Sequence, residues 1–114
     1  MIEQKGVSTD MIANNLEAFV PTHPGETIKE EIAERGISQR QLAKQMGVSY
    51  SVLNEILNAK RPVSVEYALM LEAALDIDAD LWIGMQAEYN KQVAKRDLKL
   101  QKRLEHIRQL AAML

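Results

Sequence analysis

The sequence predicts an all-α fold centred on a tight pair of short helices within residues 39–58. Three observations carry that prediction. Apolar residues recur at three- and four-residue steps, Ser or Asp stands just before most of these stretches, and Gly36 and Gly47 close the first two. With 114 residues, 46% hydrophobic and 4% aromatic, the chain suits one small helical core with appendages. Cysteine is absent, which excludes disulfides and thiolate metal sites. His23 and His106 stand alone, and no glycine-rich phosphate loop is present. The chain therefore reads as a non-enzyme with no cofactor, no metal and no catalytic residues. No apolar run approaches the roughly 18 residues of a membrane span, and the opening lacks the charged-then-apolar order of a signal peptide. A soluble, cytoplasmic protein is expected.

Residues 1–22 are expected to form an arm. Within it, residues 8–19 suit a short helix that Pro21 and Pro24 prevent from continuing. The first core helix begins near Pro24, places Glu26, Glu30 and Glu31 early, buries Ile28 and Ile32, and stops at Gly36. Gly36 suits the left-handed position of a Schellman ending, with Ile37 closing on Ile32. Ser38 and Gln41 form a capping box for the second helix, which buries Leu42, Ala43 and Met46, exposes Arg40 and Lys44, and ends at Gly47. Ser49 caps the third helix, whose Leu53, Ile56 and Leu57 share one face. Two helices this short need each other and their neighbours to be stable.

Ser64 opens the fourth helix, where Val65, Ala68, Leu69, Leu71, Ala74 and Leu75 exceed one apolar stripe. It needs cover on two sides, one of them the core and the other the fifth helix or a second subunit. Asp78 caps the fifth helix, with Leu81, Trp82, Met85 and Tyr89 as its expected buried face. Residues 23–90 would then be the globular domain. From Lys91 to Leu114 a long basic helix is expected, with Val93, Leu100, Leu104, Ile107, Ala111 and Leu114 along one seam broken once at Asp97. This helix either folds back on its own domain or pairs with a partner, and a membrane-surface role is disfavoured because its apolar stripe is interrupted and lacks aromatics.

The net charge of −2 conceals alternating blocks. Residues 1–34 carry seven acids against Lys5 and Lys29, and residues 62–90 carry six acids and no base. Residues 36–61 carry Arg40, Lys44, Lys60 and Arg61 against Glu55, and residues 91–114 carry seven bases against Asp97 and Glu105. Local rather than net charge governs contact with phosphates, so one face can bind nucleic acid.

The segment from Gln39 to Asn58 places Ala43 at the helix crossing, Gly47 at the turn, and Val48, Leu53 and Ile56 beneath it. This arrangement resembles the Xre and lambda-repressor-like helix-turn-helix family, here a five-helix domain with a short N-terminal arm and a long C-terminal helix. The resemblance implies that the third helix enters the major groove of double-stranded DNA. Tyr50, Ser51, Val52, Asn54 and Glu55 are then the candidates for base edges. Gln39, Arg40, Lys44, Ser49, Asn58, Lys60 and Arg61 are the candidates for phosphates. No Arg or Lys stands on the face of the third helix itself.

Beyond this motif, the "HPGE" string at 23–26, "LNAKRPVS" at 57–64, and a last helix with "LW" near its start and Tyr89 at its end resemble the HigA (VapI-like) antitoxins. That resemblance covers residues 23–90. It implies an antitoxin of a type II toxin–antitoxin module: a homodimer that binds a palindromic operator, represses its own operon and neutralises a HigB-type mRNA-cleaving toxin. The alternative is a free-standing Xre-family regulator without a toxin. Since family toxins are small and basic, the acidic residues 1–34 are the expected toxin-docking surface. His23 is expected to cap or pack beside Pro24.

Overall fold

The computed structural model of the chain describes residues 21–114, which form six helices and no strand. Helices α1 (Pro24–Arg35), α2 (Gln39–Met46), α3 (Tyr50–Leu57), α4 (Val65–Leu75) and α5 (Ala79–Lys95) enclose the core, and α6 (Leu98–Ala112) follows. The short helix expected at 8–19 lies outside the described residues. Among the described residues no helix is long and apolar enough to cross a membrane.

Each helix starts where a side chain replaces a missing backbone acceptor. Ser38, Ser49, Ser64, Asp78 and Asp97 all accept amides of the first turn, and Ser38 and Gln41 complete the expected capping box. The first helix ends as expected: Gly36 has φ 69°, and the Ile37 amide donates to the Ile32 carbonyl at 2.9 Å. Ile28, Leu42, Leu53, Ile56, Leu71, Leu75 and Trp82 have no exposure and form the centre of the core.

The start of α1 is the most tightly built junction. His23 Nδ1 accepts the Gly25 amide at 2.9 Å, and the imidazole meets the Tyr89 ring edge to face at 5.0 Å. Pro24 supplies a preset φ at the first helical position and loses no hydrogen bond there. Gly25 lies against the end of α3 so closely that an added Cβ would sit 2.2 Å from the Ile56 carbonyl oxygen. The "HPGE" string is thus a cap, a helix starter and a backbone-contact residue in succession.

Burial lowers the His23 pKa below its ordinary 6.5, against smaller upward pulls from a hydrogen bond to the Arg61 backbone and from the Glu26 carboxylate. As pH falls, the unfolded chain takes up this proton before the folded chain does. The stabilisation from neutral His23 is therefore complete above about pH 6.5 and declines below it. Urea unfolding of the parent and His23→Asn across this range should show a steeper loss in the parent.

Two expectations are corrected. The buried face of α5 is Ala79, Trp82 and Gln86, whereas Leu81 is 47% exposed and Met85 and Tyr89 are half-buried. Gln86 displaces an apolar residue because its Oε1 accepts the Val63 amide at 2.8 Å and its Nε2 donates to Asn90 at 2.9 Å. The loop before α4 leaves that amide without a helical partner, a need that apolar periodicity does not reveal. α5 packs on α4, while Val65 and Leu69 remain exposed, which leaves open the expected alternative of a second subunit on that side. Finally, no long helix starts at Lys91. α5 runs to Lys95, and Asp97 accepts the Lys99 and Leu100 amides to open α6. The polar residue read as a flaw in one seam is the cap that starts a separate helix.

Candidate nucleic-acid interface

The α2–α3 unit is fixed at its corner by two backbone features. Gly47 has φ 73°, and the Val48 amide donates to the Ala43 carbonyl at 3.0 Å, repeating the ending of α1. Ala43, 3% exposed, leaves room for the helices to cross. Ser49 then accepts the Val52 amide at 3.1 Å and starts α3, whose Leu53, Ile56 and Leu57 face the core.

The far end of α3 closes in the same way without glycine. The Lys60 amide donates to the Glu55 carbonyl at 2.8 Å, and Ala59 occupies the left-handed position with φ 62°. A Cβ there costs about 1 kcal/mol. Ala59→Gly should accordingly raise the melting temperature by a few degrees, read by thermal denaturation.

On the outer surface, Tyr50 and Ser51 at the start of α3 are exposed, Tyr50 at 40%. Val52, Asn54 and Glu55 are half-buried, and Val52 packs partly against the core. Arg40, Lys44, Ser49, Asn58 and Lys60 are exposed around them, while Gln39 and Arg61 are half-buried. The twelve candidate residues therefore gather on and beside one helix, in graded depth.

Several are tied to each other. The Arg40 guanidinium lies 4.5 Å from the Tyr50 ring centroid, a cation–π contact that joins α2 to the tip of α3. Asn54 Nδ2 donates to Gln39 Oε1 at 3.1 Å, a second link between the helices. Asn58 Nδ2 donates to the Asn54 carbonyl at 2.8 Å and caps the end of α3. Arg61 Nε and Nη2 both donate to Glu55 Oε1, at 2.9 and 2.7 Å. Arg61, a candidate for phosphate, and Glu55, a candidate for a base edge, are thus paired with each other while both side chains remain partly exposed. Arg40, Lys44 and Lys60 are the exposed cations among the candidate residues.

The helix-turn-helix family model HTH_3 matches residues 28–82. Virulence-associated protein I of Dichelobacter nodosus is 38% identical over 76 residues, covering 66% of this chain and 70% of that relative. The chain belongs to the HigA (VapI-like) helix-turn-helix family. Among solved structures, the antitoxin HigA of Pseudomonas aeruginosa, determined with the higBA promoter, is 33% identical with a TM-score of 0.66 and covers 75% of this chain and 92% of that one. An addiction-module antidote protein of the HigA family from Coxiella burnetii is 29% identical with a TM-score of 0.69, covering 77% and 95%.

Family membership accounts for the shared α2–α3 frame, but the links within the candidate surface are visible only in three dimensions. Sequence reading placed Gln39 and Asn54 in different roles, fifteen positions apart, and had no reason to join them. The Glu55–Arg61 pair left a weak trace as opposite charges six positions apart, beyond the helical i,i+4 spacing that normally flags such pairs.

Proposed function

We propose that this chain is the antitoxin of a type II toxin–antitoxin module that binds a palindromic operator as a homodimer, represses its own operon and neutralises a HigB-type mRNA-cleaving toxin by direct binding. The observation that carries the DNA part is the exposed, serine-capped start of α3, with Tyr50 and Ser51 foremost and Lys44 and Lys60 exposed beside it. The family relative solved with its promoter supports the same part.

In this reading Tyr50, Ser51, Val52, Asn54 and Glu55 face base edges. Gln39 holds the Asn54 amide in one orientation, and Arg61 holds the Glu55 carboxylate. Arg40, Lys44, Ser49, Asn58 and Lys60 lie toward the phosphates, with the α3 N-terminus contributing its dipole. Because cations are sparse, two copies are needed to reach useful affinity, with recognition helices about 34 Å apart on one side of the duplex.

Binding titrations on the upstream DNA of the gene test the assignment. Replacing Ser51 and Asn54 together by alanine should reduce discrimination between operator and random DNA. Lys60→Ala should weaken both equally and flatten the salt slope by about one unit. The opposite assignment of effects would refute this reading. Co-purification with the product of the adjacent reading frame separates the antitoxin from a free-standing regulator of the same family.

A further inference from the structure

One side of α5 carries an open groove of about 530 Å3, edged by Pro21 and Thr22. Leu81, Gly84, Met85 and Tyr89 make its apolar floor, and Asp80 and Glu88 are its charged residues. An added Cβ on Gly84 would meet no atom, so a helix backbone can approach closely there. Glu88 pairs with Lys91 at 3.3 Å and accepts from Gln92 at 2.7 Å, contacts that keep its carboxylate ionised at the rim.

Helix α6 has the complementary character. It has no buried residue, and Leu98, Ile107 and Leu110 are exposed. Leu100, Leu104 and Ile107 follow four- and three-residue steps, and Lys99, Lys102, Arg103 and Arg108 outweigh Glu105. No α6 residue lines the groove of its own chain.

Charge decides what fits. The charged residues that line the groove, Asp80 and Glu88, are both acidic, so two such grooves set like charges together, as does pairing two basic α6 helices. An α6 helix in the groove joins opposite signs over an apolar floor, as an amphipathic helix does in a groove partner. We propose that in the homodimer each copy lays its α6 helix into the acidic apolar groove on α5 of the other. This rests on the homodimer invoked above, and two reciprocal junctions satisfy its two-fold symmetry.

Complementation between two damaged copies tests it. Leu81→Asp spoils the groove and leaves α6 intact, and Ile107→Asp spoils α6 and leaves the groove intact; both positions are exposed, so folding should survive, as circular dichroism will verify. Sedimentation equilibrium of each full-length variant alone should show dimerisation weakened roughly 30-fold or more. Mixing them should restore a heterodimer, since one junction joins two undamaged surfaces. Unchanged dimerisation of Leu81→Asp overturns the proposal and is the result expected of α6–α6 pairing; a mixture that stays monomeric overturns it as well. If the arm of the same chain occupies the groove instead, the Leu81→Asp dimer stays intact. A dimer that behaves as proposed yet does not bind operator DNA refutes the functional reading alone.

Discussion

Replacing Gly25 by alanine is expected to destabilise the chain by about 3 kcal/mol or more, although helix propensity alone favours alanine by about 1 kcal/mol. The reason is contact between backbones. The new Cβ would stand 2.2 Å from the Ile56 carbonyl oxygen and 2.9 Å from the Leu57 Cα, and neither atom belongs to a side chain that can rotate away. α1 must therefore lift from the end of α3. Because α3 is the candidate recognition helix, the displacement should weaken operator binding as well, even where the variant remains folded. Chemical denaturation reads the first effect and a binding titration the second. A variant as stable as the parent would show that the α1–α3 junction yields at little cost.

The second large effect is expected at Trp82. Its side chain is fully buried among the core residues, so Trp82→Ala should cost about 3–5 kcal/mol. Against the usual 5–15 kcal/mol stability of a domain this size, the melting temperature should fall by well over 10 °C. Trp82→Phe should cost much less. The indole Nε1 is buried without a hydrogen-bond partner among the described residues, so phenylalanine removes an unsatisfied donor along with part of the ring. Thermal unfolding followed by circular dichroism compares the two. Equal losses for Phe and Ala would mean that Nε1 makes a stabilising contact in solution.

The same residues show what could be read in advance. Serine caps, the positions of Gly36 and Gly47, and apolar steps of three and four act within one turn of chain, and the helices they predict at 24–35, 39–46 and 50–57 are present. The motif that joins the last two was legible because it too is local: small residue, turn glycine and apolar support fall within twenty positions. Its outer surface was legible as a set of residues, since helical geometry alone decides what points away from Leu53 and Ile56.

Local chemistry was misleading where an element answers to a distant one. Gln86 faces inward with Trp82 one turn before it and accepts an amide twenty-three positions earlier, which leaves Leu81 on the outward side of α5. Asp97 separates α5 from α6 through bonds to two amides, yet in a linear pattern it reads as one polar interruption. The amino-acid sequence by itself thus determined the first three helices, their caps and the helix-turn-helix pair, because those depend on neighbours within a few residues. The tertiary structure alone decided how far Gly25 must approach α3, which cations on the candidate surface are already paired, and which apolar faces of α4, α5 and α6 remain uncovered. Those are outcomes of packing between segments far apart in the chain, where the partner of each group is set by the fold as a whole.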